Sequence, residues 1–299
     1  MLRSKKVICF GEVLWDIFPE GEKIGGAPLN VALRLNALGV DTSIISRVGK
    51  DPLGERLNHF VQANGLKTTL IQEDSQFETG KVIVTLDQNG AASYEIAAPT
   101  AWDKITYTPL LEKEIAQADV LLYGSLVTRD LVSRKTLLAL LKKARFKVFD
   151  VNLRAPHYTQ PLLEELMQEA DLIKFNDEEL IEISVAMGCN EASLEERLKF
   201  MATKTNTHKI CVTKGGEGAL LLLDHLIYDQ KGFAVDVKDT VGAGDSFLAT
   251  LLEGLITNKP PAVALENACA IGAMVAASAG ANPTISSKEL SSFIRETSK

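Results

Sequence analysis

Apolar positions along this chain recur at two spacings, two residues and about 3.6, and the two alternate through most of its length. Residues 7–10 form a short continuous apolar run, suited to a strand buried on both faces. Residues 12–18 alternate apolar with polar, as a half-exposed strand does. Helical spacing follows from Val31, a strand is predicted over 42–48, a helix over 52–63 and a strand over 66–71. From Tyr107 the alternation is regular: helix near 109–117, strand 119–123, helix 130–144, strand 146–151, helix near 161–168, strand 171–175 and helix 177–187. Helices near 260–279 and 287–297 finish the chain, the last opened by a Ser286/Glu289 capping box. This order predicts an α/β protein whose parallel sheet carries helices on both faces.

One stretch breaks the order. Residues 81–86 and 91–96 are β-like runs joined by Asp87-Gln88-Asn89-Gly90, and Asn-Gly is the usual pair of a tight hairpin. With the 12–18 strand, this hairpin predicts a small sheet projecting from the main body. There is no internal repeat, low-complexity segment or linker, so residues 1–299 are expected to form one domain, with projecting strands near 12–18 and 79–98.

Composition narrows the function. At 46% hydrophobic and 24% charged, the chain has an ordinary globular profile. A net charge of -7, with no basic cluster beyond residues 3–6, argues against nucleic acid or an anionic membrane as partner. The first apolar run is broken by Gly11-Glu12 too early for a signal peptide, and the Ala/Gly-rich stretch 267–284 is too weakly hydrophobic to span a bilayer. Cys9, Cys189, Cys211 and Cys269 are scattered without a CxxC pair, as free thiols of a reducing compartment are, which places the protein in the cytoplasm. The four histidines show no metal spacing.

The chemistry concentrates in Asp239-Thr240-Val241-Gly242-Ala243-Gly244-Asp245-Ser246-Phe247, after a strand-like run over 232–237 and before a helix-patterned run over 247–256. Gly242 and Gly244 allow a ligand close to the main chain, and unpaired N–H groups at a helix N-terminus make an anion pocket. A carboxylate in that turn, Asp245, can take a proton from a hydroxyl while the amides hold the group it attacks. Capping alone would equally explain an acid there. Three further motifs stand at predicted strand ends, where ligands of such sheets bind. They are Asp150-Val151-Asn152-Leu153-Arg154, Lys174-Phe175-Asn176-Asp177-Glu178-Glu179 and Val212-Thr213-Lys214-Gly215-Gly216-Glu217-Gly218. Asn176 and Glu179 also fit a capping box, and the third motif fits a plain glycine turn between two strands. Upstream, Gly25-Gly26-Ala27-Pro28-Leu29-Asn30 opens a helix, and the Asn30 amide can both donate to and accept from a sugar hydroxyl. Asp16 lies between Trp15 and Ile17 in the alternating strand and is also readable as a surface acid.

Together these motifs resemble the PfkB/ribokinase family of carbohydrate kinases. The 25–30 and 239–247 runs match its two diagnostic patterns, in family order and across nearly the whole chain. Gly11-Glu12-Val13-Leu14-Trp15-Asp16 and Ala98-Pro99-Thr100-Ala101-Trp102-Asp103 are similar to bacterial fructokinases. The resemblance implies a three-layer α/β/α ribokinase-like body with a β-sheet lid, a homodimer through that lid, and ATP-dependent phosphorylation of a sugar, fructose first. Ribose, 2-keto-3-deoxygluconate or a nucleoside as substrate, and a non-catalytic sugar binder on the same fold, stay open. By position it implies Asp245 as general base and the amides of Gly242, Ala243, Gly244 and Asp245 as anion hole. Asp16, Gly26, Asn30 and Arg154 fall on the sugar. Asn176, Thr213, Gly215, Gly218 and Asn267 fall on the nucleotide, and Glu179 on Mg²⁺ through water. Asp239, Val241, Ser278, Gly280 and Thr284 fall on a potassium site. No GxxxxGK[ST] sequence is present, so the 242–245 turn has to serve as the phosphate cradle.

Overall fold

Strands with apolar side chains on both faces dominate the middle of the molecule, as the continuous runs predict. The computed structural model describes residues 5–19, 21–86 and 92–297. In chain order the elements are β1 (Lys6–Phe10), β2 (Leu14–Phe18), β3 (Gly21–Gly25), α1 (Ala27–Ala37), β4 (Asp41–Gly49), α2 (Pro52–Ala63), β5 (Ile71–Asp74), β6 (Gly80–Leu86) and β7 (Ala92–Ile96). Then come α3 (Pro109–Gln117), β8 (Val120–Gly124), α4 (Leu131–Leu141), β9 (Lys147–Asp150), α5 (Gln160–Gln168), β10 (Leu172–Asn176), α6 (Asp177–Ala186) and α7 (Leu194–Thr205). The chain closes with β11 (Lys209–Thr213), β12 (Gly218–Leu223), β13 (Leu226–Lys231), α8 (Ala243–Ile256), α9 (Pro261–Ala276) and α10 (Ser287–Thr297).

Nine strands form one sheet in the order β13-β12-β11-β10-β9-β8-β1-β4-β5. From β5 to β11 neighbouring strands run parallel, and β12 and β13 close the edge antiparallel. Alternate side chains of one strand serve two cores. Ile8 and Phe10 of β1 join Leu121, Tyr123, Ile173 and Phe175 beneath α3 to α7, whereas Val7 and Cys9 join Val120, Leu122 and Leu172 beneath α1, α2 and α8. A third cluster sets Cys211, Ala219 and Leu221 against α8 and α9. The result is three layers, helix, sheet and helix. Strand order reverses at β1, which has β4 on one side and β8 on the other, so a crevice opens beyond its carboxyl end.

β2, β3, β6 and β7 make a separate four-stranded sheet, β3-β2-β6-β7, with β2 and β6 parallel and the outer pairs antiparallel. The Trp15 indole N–H donates to the Leu53 carbonyl at 3.1 Å and Arg56 lies over its ring, tying this sheet to α2.

Several expectations need correction. The 66–71 strand becomes a turn with a single bridge from Lys67 to Ser43, because Ile71 N–H donates back to Thr68, and pairing with β4 begins only at Ile71. Among the described residues the 232–237 run pairs with no strand. It leaves the sheet edge at Gly232, which packs so tightly on Gly216 that a Cβ there would stand 2.0 Å from its oxygen. β3 is too polar to announce itself, and the apolar pattern does not announce α7 either. The tight turn at 87–90 lies outside the described residues.

Candidate active site

The N-terminus of α8 meets the crevice. Gly242 takes φ +76°, and a Cβ there would stand 2.5 Å from the Ala281 Cβ and 2.6 Å from its carbonyl oxygen. Only glycine satisfies both demands. The first i→i−4 bond of α8 runs from Ser246 N–H to Gly242, so the amides before it have no place in the helical ladder. One of them differs from expectation: Ala243 N–H is taken up by the Thr240 carbonyl at 3.2 Å, which leaves those of Gly242, Gly244 and Asp245 without a main-chain acceptor among the described residues.

Asp245 accepts from Asn30 Nδ2 at 2.8 Å, and Asn30 Oδ1 in turn accepts from Asn282 Nδ2 at 2.7 Å. Burial pushes the Asp245 carboxyl up to about 6, and Asp150 adds to the rise. The bond from Asn30, with Lys174 and Arg154, holds it back. Arg34, one turn beyond Asn30, points to the same side of α1, toward α8 and the last loop. It is buried, with Nε on Ser246 Oγ and Nη2 on the Pro283 carbonyl, so it clamps α1 to α8 and to the chain's last loop.

At adjacent strand ends, Lys174 and Asp150 are register partners across β10 and β9, and Lys174 Nζ stands 3.0 Å from Asp150 Oδ1. A Cβ on Gly244 would lie 3.6 Å from that ammonium, so the charge sits at the mouth of α8. Lys174 is 6% exposed. Burial alone would lower its pKa, yet Asp150, Glu179 and Asp245 together raise it. Glu179 and Asn176 form the capping box: Asn176 Oδ1 accepts from Glu179 N–H at 2.7 Å, and Glu179 Oε2 from Asn176 N–H at 2.8 Å. Glu179 Oε1 also accepts from Leu153 N–H at 2.9 Å, so the cap reaches across to the loop that carries Arg154. Glu12, just past β1, is buried, and its Oε2 has no partner among the described residues. Burial pushes its carboxyl up to about 7, Asp245 and Asp150 acting the same way and Arg154 against.

On the opposite wall, Asp16 is half-buried over the main chain of β3, where a Cβ on Gly25 would meet its Oδ2 at 2.4 Å. Burial raises its pKa, while Lys23 and Arg154 oppose the rise. Gly26 caps α1 at φ +115°, where a Cβ would stand 2.4 Å from the Glu12 carbonyl. Arg154 is exposed and acts electrostatically on Glu12, Asp16 and Asp245, so it faces the space between them. The structure thus gathers Asp16, Gly26, Asn30, Arg154 and the 242–245 turn around one crevice.

Asn176 and Thr213 are register partners at the ends of β10 and β11, beside the Gly215 turn at φ +53°. Gly218 has a packing reason of its own, since a Cβ there would meet the Gln230 carbonyl at 2.0 Å. Asn267 is half-buried on α9, the helix packed along α8. Asp239 accepts from Val241 N–H at 3.0 Å and Gly280 N–H at 3.3 Å, which joins the two halves of the expected cation loop. Ser278 Oγ donates to the Met274 carbonyl and Thr284 is exposed. Among the described residues no three His, Cys, Asp or Glu side chains cluster to hold a metal, and no helix is long and apolar enough to cross a membrane.

Sequence reasoning gives no role to Lys174, Asp150, Glu12 or Asn282. The first three lie inside quoted motifs, but the pairing of Lys174 with Asp150 depends on strand register, which no spacing reveals. Asn282 follows a Gly-Ala pair with no pattern attached.

Comparison with known proteins agrees with this geometry. The model of pfkB family carbohydrate kinases matches residues 5–288. A sugar kinase from Pyrococcus horikoshii, described as uncharacterized, is 30% identical over 244 residues, covering 79% of this chain and 74% of that one. Its structure in complex with ATP superposes with a TM-score of 0.79 at 27% identity, over 97% of this chain and 99% of that one. Escherichia coli fructokinase is 28% identical over 266 residues, 84% of this chain and 85% of its own. The structure of Xylella fastidiosa fructokinase with bound ATP has a TM-score of 0.86 at 23% identity, covering 99% of this chain and 100% of that one.

Proposed function

The chain belongs to the pfkB family of carbohydrate kinases, with the ribokinase-like α/β fold, and from that premise we propose that it transfers the γ-phosphoryl group of ATP to the primary hydroxyl of D-fructose. The observation that carries this reading is the carboxylate of Asp245. It stands in the first turn of α8, beside free main-chain amides and 2.8 Å from Asn30. Its pKa near 6 leaves it mostly ionised at neutral pH yet basic enough to accept a proton.

In this reading the sugar lies between Asp16, Gly26, Asn30 and Arg154, with its reacting hydroxyl on Asp245. The hydroxyl oxygen bonds to the γ-phosphorus as the bond to the bridging oxygen breaks, ADP leaves, and the hydroxyl proton passes to Asp245. The Gly244 and Asp245 amides and the Lys174 ammonium face the charge of the migrating group. Phosphoryl transfer asks mainly for such positioning and charge stabilisation. A base contributes about 10² to 10⁴ in rate, and an aimed donor about 10² to 10³. Asn176, Thr213, Gly215, Gly218 and Asn267 are assigned to the nucleotide.

The donor set fits magnesium carried by the triphosphate. Both Glu179 oxygens already accept main-chain N–H groups, so Glu179 would reach the ion only through water. When bound, that ion supplies neutralisation of phosphate charge. Potassium is assigned to the loop closed by Asp239 and Gly280, with Val241, Ser278 and Thr284 beside it. The four-stranded sheet is assigned as the lid and as the contact of a homodimer.

The test is ADP release with MgATP and a panel of fructose, ribose, 2-keto-3-deoxygluconate and nucleosides, on the wild type and Asp245→Ala. Turnover is expected with fructose above the others, and a loss of about 10² to 10⁴ in the variant, on the order of a missing base. Near wild-type turnover by Asp245→Ala would remove the proposed base. Sugar binding without ADP would favour a non-catalytic binder.

A further inference from the structure

Asn30 is 4% exposed, and its amide has a donor end and an acceptor end that must each find the right partner. An ionised carboxylate only accepts, so Asn30 has to turn its NH₂ toward Asp245 Oδ2, 2.8 Å away. That leaves Asn30 Oδ1 pointing the other way and in need of a donor. Asn282 Nδ2 supplies it at 2.7 Å. Asn282 comes from the loop after α9, immediately beyond Ala281, against which Gly242 packs, and before Pro283, whose carbonyl Arg34 holds. It is therefore fixed to both helices that carry its partners. Its own Oδ1 is buried with no donor among the described residues. A stranded acceptor costs stability, so packing alone does not explain an amide at this position.

We propose that Asn282 is a positioning residue for phosphoryl transfer: by donating to Asn30 it holds that amide with its NH₂ on Asp245, and so keeps the base in the form and orientation that accepts a hydroxyl proton. This rests on Asp245 being the base. Asp245 also faces Asp150 from β9, Lys174 from β10, Arg154 from the loop after β9 and Glu12 from the loop after β1. Those groups set its baseline and are the same in the variants below. Arg34, near Asn282, favours an ionised acid at that position.

The experiment is the pH profile of kcat/KM with MgATP and the best sugar for wild type, Asn282→Asp and Asn282→Gln. In Asn282→Asp the new carboxylate, once ionised, cannot donate, so Asn30 turns its NH₂ to it and presents Oδ1 to Asp245, which then keeps its proton to higher pH. The acid limb is expected to move up by about one pH unit, a roughly tenfold loss below the limb, with a smaller loss on the plateau. Asn282→Gln keeps a donor, and its limb stays near that of wild type. If circular dichroism shows Asn282→Asp unfolded, Asn282→Ala decides: it frees Asn30, and its limb moves the same way by less. A limb that stays put in the folded variant, even with lower kcat or melting temperature, overturns the proposal. If wild type phosphorylates no sugar, or Asp245→Ala keeps its turnover, the kinase reading fails first and this proposal with it. An essential Asp245 beside an unmoved Asn282→Asp profile sinks this proposal alone.

Discussion

Four acids, Glu12, Asp150, Glu179 and Asp245, share the crevice with Lys174, and even with Arg154 counted at the rim two acids lack a cation. This imbalance explains why burial lifts the Glu12, Glu179 and Asp245 carboxyls together, each with a neighbouring acid adding to the rise. Glu12 turns it into a measurable pH effect. In the unfolded chain its proton leaves near 4.5, and in the folded one near 7. The folded state thus holds the proton more tightly, and stability is lost as pH rises between those values. Above pH 7 the penalty is complete, on the order of 3 kcal/mol. Glu12→Gln stays neutral throughout, so it should match wild type in urea at about pH 4 and be more stable at pH 8 by up to about that amount. A gap that does not widen with pH would mean that Glu12 is not strained by its burial. At this scale the sequence is half legible. Asp245 and Asn30 stand in motifs that suggest a role, whereas Glu12 is quoted only within the Gly11 to Asp16 run and its burial shows only in the fold.

Helix α8 shows what one element contributes and what its pattern can announce. Its apolar run is readable, and so is the glycine pair before it, because a helix that opens on Gly-x-Gly-Asp has few physical explanations. The strands from β8 to β10 are readable for a similar reason: short apolar runs between helical spacings can only be covered on both faces. β3 escapes as an edge strand with three exposed residues in its five, and the 232–237 run misleads because β-like composition does not guarantee a neighbour to pair with. Gly242 tests the element directly. Its φ of +76° costs a residue with a Cβ about 1 to 2 kcal/mol, and that Cβ would also meet the Ala281 main chain at 2.6 Å. Backbone cannot step aside as a side chain can. Gly242→Ala is therefore expected to lower the melting temperature by several degrees and to cut kcat/KM by about 10² or more, since the turn that aims the amides must shift. Unchanged kinetics in the folded variant would separate this turn from the chemistry.

Across the whole molecule, the crevice draws on residues from Glu12 to Asn282, so activity depends on how the small sheet sits on the body. One buried cluster controls that seat. Arg129, 6% exposed at its side chain, pairs with Asp103 through Nε and Nη2 at 2.8 Å each, donates from Nη2 to the Ala97 carbonyl where β7 ends, and lies 4.0 Å over the Trp102 ring. Asp103 closes the other side by accepting from Thr100 N–H at 2.8 Å. The Ala98-Pro99-Thr100-Ala101-Trp102-Asp103 run stands out in the sequence only by resemblance. Its physical content is this joint, in which one guanidinium binds the end of the small sheet to the loop before α3. Removing Asp103 would leave a buried cation without its counter-charge, which costs about 3 to 5 kcal/mol. Asp103→Ala should accordingly lose that much in urea denaturation. Among the molecules that stay folded, KM for the sugar should rise more than kcat falls, because Asp16 and Gly25 ride on the small sheet while Asp245 and Lys174 belong to the body. The joint would be ordinary scaffolding, unconnected to substrate, if Asp103→Ala lost stability but bound and turned over sugar as the wild type does.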